Sequence, residues 1–340
     1  MLNEVVINRY NLLKNLSYIK ENNPNSLICA MVKANAYGVG MKEVVKILDD
    51  KVDFFGVASV GEAIKARKFT KNKILIVSPI ERKNLIDNDF SYTVTSLEDV
   101  EFLVNNNVVA NIHLKVNTGM NRYGFKSIKQ FRRALSLIKK SKLNVEGLFT
   151  HFATSDELVD KQMKIFNKYI GVTKRAGFKP IIHADNSSVC ELKNHHLDMV
   201  RIGFNLYNKF SENFLPVVEI KSTITQIQEV KKGELVGYDR RFIAKKKMRV
   251  AILPIGYADG LSLAYLGMKL NIKGQDCEIL NICMDCFMLD ATKTDAKLGD
   301  KISILNNLNP ISKFARFRHT SEYEIMCNFS SIRATRHVIN

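Results

Sequence analysis

Short apolar runs recur through the first two hundred or so residues and alternate with amphipathic stretches. Each run has the length of a strand, and most contain valine or isoleucine, which favour β-structure. The eight runs are Leu27–Val32, Phe54–Ala58, Ile74–Val77, Tyr92–Val94, Ala110–Val116, Val145–Phe149, Ile181–Ala184 and Met199–Gly203.

Helical patterns fill most of the gaps between these runs. Ile128–Lys139 and Leu158–Lys174 are long and amphipathic, whereas Met41–Leu48 and Val60–Arg67 are shorter. Thr95-Ser-Leu-Glu98 is a capping-box pattern that predicts the start of a further helix. Strands that alternate with helices in this way predict a (β/α)8 TIM-type barrel.

The pattern changes after residue 212. Val217–Val230 alternates partially, and further strand-length runs follow without long helical stretches between them, at Arg249–Ile255, Cys277–Ile282, Phe287–Leu289 and Lys301–Leu305. This pattern is typical of a mostly antiparallel β domain. We therefore predict an α/β plus β protein with a barrel over residues 1–212 and a β domain over 213–340, the extreme N-terminus being a candidate to pair with the β domain.

Composition excludes several classes of protein. Hydrophobic residues make up 46% of the 340 residues, which favours a globular fold over disorder. The sequence has neither a run of about 20 apolar residues nor a signal-peptide pattern, so we expect a cytoplasmic protein without a membrane association. The six cysteines are scattered, and Cys283-Met-Asp-Cys286 alone is a weak metal or redox signal, so we predict no metal.

The net charge of +17 leaves nucleic-acid binding open as an alternative. The lysines, however, are spread along the whole chain, and no run is longer than the three at 245–247. No basic helical face carries interleaved aromatic residues. We therefore expect no nucleic-acid partner.

Charged and polar residues follow several of the predicted barrel strands, where barrel enzymes carry their chemistry. They are Lys33, Lys115, Arg122, His151, Asn186, Ser187, Arg201 and Gly203. A partly desolvated lysine at a strand end can form a Schiff base, and the loops after strands seven and eight are the usual phosphate site of such barrels. A phosphorylated aldehyde, pyridoxal phosphate, would fit both features.

Eight motifs then show a resemblance that runs from end to end of the chain. They are "MVKANAYGVG", "LKVNTGMNRYG", "THFATSDE", "HADNSSV", "MVRIGFNLY", "PIGYADG", "ICMDCFMLD" and "YEIMC". In this order they resemble the bacterial alanine racemases, which are fold-type III pyridoxal phosphate enzymes.

The resemblance implies an isomerase that interconverts L-alanine and D-alanine and supplies D-alanine for peptidoglycan. Lys33 would hold the cofactor as an aldimine and act as one of two bases that transfer the α-proton. Tyr257 would be the second base, supplied by the β domain of the other subunit of a head-to-tail homodimer. Opposite faces of the substrate would thus meet different bases.

Other positions are assigned by the same resemblance. Arg122 and the backbone amide of Met284 would bind the substrate carboxylate. Lys115, carbamylated in many members, would support Arg122, and Asp285 would support the neighbouring residues. The residues implied to contact the cofactor are Lys33, Tyr37, His151, Asn186, Ser187, Arg201, Gly203 and Phe204.

Three positions depart from the family pattern or cannot be matched to it. Val338 stands where the family usually has a tyrosine that contacts the phosphate and narrows the entrance, and Asn117 stands where aspartate is common. Tyr265 is only a candidate for an entrance-lining tyrosine. Val338 keeps a serine or broader-specificity racemase open as an alternative. An amino-acid decarboxylase and a non-catalytic cofactor carrier of the same barrel type rank lower.

Overall fold

The structure is a computed structural model that describes residues 2–85, 89–184, 197–209 and 211–340. The predicted site residues Asn186 and Ser187 lie outside these ranges. The chain divides into two compact units, described separately below. The β unit comprises Met1–Leu13, Tyr37–Glu43 and Tyr207–Asn340, and the barrel unit comprises Lys14–Ala36 and Val44–Leu206.

The strands, in chain order, are β1 (Asn3–Asn8), β2 (Leu27–Met31), β3 (Phe54–Val57), β4 (Lys73–Pro79), β5 (Ser91–Val94), β6 (Ala110–Lys115), β7 (Leu143–Phe149), β8 (Ile181–His183), β9 (Met199–Ile202), β10 (Val218–Thr223), β11 (Gln226–Val230), β12 (Met248–Leu253), β13 (Lys269–Ile272), β14 (Gln275–Ile282), β15 (Phe287–Asp290), β16 (Lys301–Leu305) and β17 (Thr335–Ile339).

The helices are α1 (Arg9–Asn22), α2 (Lys33–Tyr37), α3 (Met41–Leu48), α4 (Val60–Arg67), α5 (Leu97–Asn105), α6 (Ile128–Ile138), α7 (Leu158–Arg175), α8 (Phe204–Tyr207), α9 (Ile311–Arg318) and α10 (Glu322–Asn328). Short 3-10 turns lie at Tyr257–Asp259, Leu263–Tyr265 and Phe329–Ser331. Among the described residues, no helix combines the length and the apolar character needed to span a membrane.

The eight strands β2 to β9 form a closed parallel barrel in sequence order. Closure occurs where β2 pairs with β9 and Cys29 lies opposite Arg201. All residues of β3, β5 and β9 are buried, which explains why these strands appear as continuous apolar runs. The predicted barrel, with each of its eight strands, is confirmed.

Serine side chains cap three of the barrel helices. Ser59 and Ser127 accept hydrogen bonds from the third residue of α4 and α6. The capping box predicted from Thr95 to Glu98 is wrong by one residue. Ser96 is the cap and accepts from the Asp99 amide at 3.1 Å, while the Asp99 carboxylate accepts from the Thr95 amide at 3.1 Å.

The β unit contains two sheets, with strand orders β16-β10-β1-β17 and β11-β12-β15-β14-β13. Every pairing is antiparallel except that of β1 with β17. The predicted antiparallel β domain is therefore confirmed as a fold, whereas the boundary at residue 212 stays a prediction. Val217–Val230 forms two strands rather than one, and β13, β17, α9 and α10 were not predicted.

Candidate active site

Lys33 is the first residue after the apolar end of the first barrel strand, and a left-handed turn follows it. Ala34, Asn35, Ala36 and Tyr37 have φ values of 52°, 54°, 53° and 55°. For residues with a Cβ this conformation costs roughly 1–2 kcal/mol each. Surrounding contacts must therefore hold the turn in place. One of these is the Ala34 amide, which donates to a carboxylate oxygen at 2.7 Å in Glu62 of α4.

A group of cations gathers at the carboxyl ends of the barrel strands. Lys115 ends β6 and is 6% exposed. Burial lowers the pKa of its amine to about 7, helped by the positive charges of Arg122, Arg201 and Lys33. At neutral pH a large fraction of Lys115 is therefore an uncharged amine. Arg122 itself is exposed in the loop after β6.

His151 follows β7 and lies among these cations. Burial, and then the charge of Arg201, lowers the pKa of its imidazole to about 2. The ring is therefore neutral throughout the physiological range. Its position is fixed through its backbone, because Gln162 Nε2 donates to the His151 carbonyl at 3.2 Å and to Thr118 Oγ1 at 2.9 Å.

Arg201 lies on β9 with only 4% of its surface exposed. Its Nη2 donates to the carbonyl oxygens of Thr150 and Ala184, both at 2.9 Å. The same nitrogen lies 3.3 Å from Nδ1 of His151. Its Nη1 lies 2.6 Å from Nδ1 of His183.

From Arg201 a row of buried side chains continues through the barrel interior. Nε2 of His183 lies 2.8 Å from Nδ1 of His113, and Nε2 of His113 lies 3.2 Å from Oε2 of Glu146. Both histidines have 0% exposure. We name the row Arg201–His183–His113–Glu146 the histidine relay. Sequence reasoning missed three of its four members.

The direction of the hydrogen bonds in the histidine relay follows from Arg201, which can only donate. Nδ1 of His183 must accept from it, so His183 carries its proton on Nε2 and donates to Nδ1 of His113. His113 then donates from Nε2 to Glu146. Burial lowers the pKa of both rings, and the charge of Arg201 lowers it further, so each ring is neutral with one defined tautomer.

Glu146 ends the histidine relay as a carboxylate. Burial alone would raise its pKa, but the hydrogen bond from His113 and those from Lys73 and Ser91 outweigh burial and lower the pKa to about 2. Lys73 Nζ lies 2.6 Å from the carboxylate, and the Ser91 hydroxyl donates to it. The lysine side chain is 60% exposed, so this end of the relay reaches solvent.

The remaining predicted site residues occupy two places. Gly203 and Phe204 are buried directly after β9 in the sequence. In the β unit, the Tyr37 ring lies 5.5 Å from the ring of Tyr207. Tyr257 begins a 3-10 turn and is 45% exposed, and Met284 is 59% exposed. Asp285, next to Met284, is also exposed.

The cysteines of the described ranges are free thiols. Burial raises the pKa of Cys286 to about 11, with a further contribution from Cys283, which makes Cys286 a poor source of thiolate. Within residues 2–85, 89–184, 197–209 and 211–340, no three His, Cys, Asp or Glu side chains are grouped so that they could hold a metal ion.

Comparison with known proteins covers both units. Residues 7–209 match the family model for the alanine racemase N-terminal domain, and residues 217–338 match that for the alanine racemase C-terminal domain. Alanine racemase of Fusobacterium nucleatum is 34% identical over 89% of this chain and 90% of its own length. Alanine racemase of Helicobacter pylori is 32% identical over 96% of each chain.

Solved structures give the same result. A Clostridium difficile alanine racemase is 30% identical with a TM-score of 0.91, and covers 100% of this chain and 96% of its own. The Bacillus anthracis alanine racemase, described with bound L-Ala-P, is 26% identical with a TM-score of 0.93, over 100% and 95%. The sequence motifs, the barrel with its polar rim and these matches agree, and the chain belongs to the alanine racemase family.

Proposed function

We propose that this protein interconverts L-alanine and D-alanine with pyridoxal 5'-phosphate as cofactor, and so supplies D-alanine for peptidoglycan. The observation that carries the proposal is the buried Arg201, held in one orientation by carbonyl oxygens and by a neutral histidine. The nucleic-acid alternative is not retained, because the family models account for residues 7–209 and 217–338.

The donor set of the barrel unit fits this cofactor. Lys33 offers an amine for covalent attachment, and Arg201 offers N–H donors that suit an aromatic nitrogen. The charges that act on Lys115 and His151 are cations, which favours an anionic ligand such as a phosphate ester. Tyr37, His151, Gly203 and Phe204 are proposed to contact it, together with Asn186 and Ser187. When bound, pyridoxal phosphate supplies a conjugated ring that makes the α-proton of the amino acid acidic.

Arg201 keeps its proton at any physiological pH. It would therefore donate a hydrogen bond to the ring nitrogen of the bound cofactor without protonating it. The histidine relay prevents the guanidinium from turning away, since His183 accepts from Nη1 and two carbonyl oxygens accept from Nη2.

Lys33 and Tyr257 are proposed as bases on opposite faces of the substrate Cα. One removes the α-proton, and the other returns a proton from the opposite side, which inverts the centre. Within the single chain Tyr257 and Met284 are 45% and 59% exposed. Large exposed side chains at a predicted site support the proposal that a second copy of the chain completes the site in a homodimer.

Arg122 and the Met284 amide are proposed to bind the substrate carboxylate. Lys115 as a cation would repel Arg122. Burial and this repulsion together lower the pKa of Lys115. Its neutral amine can react with carbon dioxide to form a carbamate, which would attract Arg122 instead. Carbamylation of Lys115, a supporting role for Asp285 and the cytoplasmic location stay predictions.

A racemase of broader specificity, which also accepts serine, is the second candidate function. Val338 lies on β17 and is 44% exposed. The family usually has a tyrosine at this position. Valine is smaller, so it would leave a wider entrance, and it lacks the tyrosine hydroxyl. Serine, larger than alanine by one oxygen, is the first alternative substrate to test.

The proposal is tested by incubating purified protein and pyridoxal phosphate with L-alanine or L-serine, and measuring the D-enantiomer by chiral chromatography. We expect D-alanine to form and Tyr257→Phe to lower the rate by about 10²–10⁴-fold, the usual contribution of a general acid–base group. Tyr238→Phe, at a 70% exposed tyrosine of the same unit, serves as the control. Absence of D-alanine from protein with a lysine-bound cofactor spectrum would contradict the assignment.

A further inference from the structure

The loop that carries Tyr257 and the turn that carries Met284 are fastened to each other through their backbones. The Tyr257 amide donates to the Cys283 carbonyl, and the Ala258 amide donates to the Met284 carbonyl, both at 3.0 Å. At Gly256 a Cβ atom would lie 2.3 Å from the carbonyl carbon of Met284, so only glycine permits this approach. The 254–260 loop and the 283–286 turn are therefore one structural element.

A fully buried carboxylate lies inside the 254–260 loop. Asp259 has 0% exposure, and its oxygens accept four hydrogen bonds. Three come from Arg333, through the backbone amide at 3.0 Å, Nε at 2.7 Å and Nη2 at 2.6 Å. The fourth comes from the Gly256 amide at 2.9 Å, next to Tyr257. We name Asp259 and Arg333 the ionic clamp.

The ionic clamp also reaches the 283–286 turn and the first strand. Arg333 Nη2 lies 3.3 Å from the Asp285 carbonyl. The buried Asn3 of β1 donates from Nδ2 to the Pro254 carbonyl at 2.7 Å and to the Arg333 carbonyl at 3.3 Å. Ser222 Oγ orients Asn3 by donating to Oδ1 at 2.8 Å. Arg333 is thus the point where the two functional segments and β1 are tied together.

Asp259 is buried but the Arg333 side chain is 55% exposed. The pair is weak evidence for stability, because desolvation of the carboxylate and solvent around the guanidinium offset much of the attraction between the charges. The bidentate geometry instead fixes the distance and angle between the groups that it joins. Here those groups are the backbone on both sides of Tyr257 and the Asp285 carbonyl next to Met284. We propose that Asp259 and Arg333 are positioning residues for the second base Tyr257 and for the Met284 amide.

This inference rests on the proposed function, and its test uses the two-base arrangement. Bases on opposite faces of Cα remove the α-proton from different enantiomers. Pure α-deuterated L-alanine and D-alanine are incubated separately with the holoenzyme, and loss of the deuterium to solvent is followed by NMR. Tyr257→Phe identifies the enantiomer on which Tyr257 acts. In this variant Lys33 continues to exchange the α-deuterium of the other enantiomer with solvent.

The clamp variants are Asp259→Asn and Arg333→Lys, and the matched control is Asp300→Asn, which breaks the exposed Lys273–Asp300 pair (2.7 Å) of the same unit. A small displacement of a reacting group costs about 10²-fold in rate. We expect a loss of this size in both clamp variants, for the enantiomer that Tyr257→Phe affects. Exchange from the other enantiomer should change less than about threefold, and the control should match the parent protein.

Equal losses for both enantiomers, or no loss, would overturn the proposal. A readout independent of activity is amide hydrogen exchange by mass spectrometry, with and without cofactor. The Tyr257 and Ala258 amides should exchange faster in the clamp variants, while amides of the barrel strands stay protected. Failure of the proposed function would appear differently, as an absence of deuterium loss from either enantiomer in the parent protein.

Discussion

The histidine relay and the ionic clamp position functional groups in opposite ways. In the barrel unit, a side chain is held, since Arg201 is fixed by two carbonyl oxygens and by the buried His183, with His113 and Glu146 behind it. In the β unit, the buried Asp259 and its partner Arg333 hold backbone, and the functional Tyr257 ring remains 45% exposed.

The difference matches what each group is proposed to do. Arg201 must keep one charge and one direction, which a dry interior with neutral histidines provides. Tyr257 must gain and lose a proton, so burying its hydroxyl among fixed partners would hinder it. Fixing its backbone instead leaves the ring free to meet a substrate.

The largest expected effect comes from breaking the histidine relay at its anionic end. Glu146→Ala leaves the His113 N–H buried without its acceptor and removes the partner of Lys73. We expect the free energy of unfolding of the apoprotein to fall by about 3 kcal/mol, because removing one member of a buried charged network leaves the others uncompensated. Urea unfolding measures it. Glu101→Ala, which breaks the exposed Glu101–Arg133 pair, should cost less than about 1 kcal/mol. Equal decreases in the free energy of unfolding of the two variants would contradict the claim that burial makes the Glu146 contacts more stabilising than an exposed ion pair.

The two regions should also lose stability in different pH ranges. His151, His113 and His183 have lowered pKa values in the folded barrel, mainly through burial. As the pH falls below about 6.5, the pKa of histidine in the unfolded chain, the unfolded chain binds protons that the folded protein does not. The free energy of unfolding therefore decreases by about 1.4 kcal/mol per pH unit for each ring. Arg333 lowers the pKa of Asp259 against the effect of burial. The ionised Asp259 contributes fully to the free energy of unfolding above about pH 3.9, its pKa in the unfolded chain. This contribution is lost only as the pH falls through the lower pKa of Asp259 in the folded protein.

Hydrogen exchange between pH 7 and pH 4 tests this order. Barrel amides should lose protection first, starting near pH 6, and the Tyr257 and Ala258 amides should remain protected to below pH 4. His113→Gln should make the pH dependence of the barrel shallower. Simultaneous loss in both units would show that the two regions are not stabilised independently.

The smallest expected effect concerns backbone strain beside Lys33. Ala34 is exposed and has φ 52°, which glycine adopts without strain. Ala34→Gly should raise the free energy of unfolding by about 1 kcal/mol or less, since relief of strain exceeds the added entropy of the unfolded chain. Ala63→Gly within α4 should instead lower it by about 1 kcal/mol or more. Thermal unfolding compares them, and destabilisation by Ala34→Gly would mean that the turn is not strained.

The barrel could be predicted from sequence because its strands are continuous apolar runs. β17 was missed because three of its five residues are exposed, and it lies at the edge of its sheet, so no hydrophobic pattern marks it. The break between β10 and β11 falls at Ile224-Thr225, two β-forming residues that give no turn signal. α9 and α10 lie near the C-terminus, beyond the strand pattern on which the prediction relied.

Within the candidate site, residues near strand ends were accessible to sequence reasoning, and interior ones were not. His113 and His183 each stand in an apolar strand, where one polar residue usually means a satisfied core group. The available signal was that both are histidines within predicted barrel strands, on β6 and β8. Their mutual contact depends on the pairing of β6 and β8 with β7 between them, which brings residues 70 positions apart to 2.8 Å. Likewise Asp259 and Arg333 are 74 positions apart in the sequence.

The fixed tautomers of the histidine relay have an electrical consequence. Its N–H bonds all point the same way, so their dipoles add, as peptide dipoles do in a helix. Each ring turns its N–H, the positive end of its dipole, toward the carboxylate of Glu146, and its unprotonated nitrogen toward the guanidinium of Arg201. The barrel interior therefore holds a permanent dipole that stabilises the positive charge of Arg201 and the negative charge of Glu146, independently of pH above the range in which the histidines protonate. An electron-rich group that arrives at Arg201 meets a guanidinium whose charge and direction the fold established before it bound.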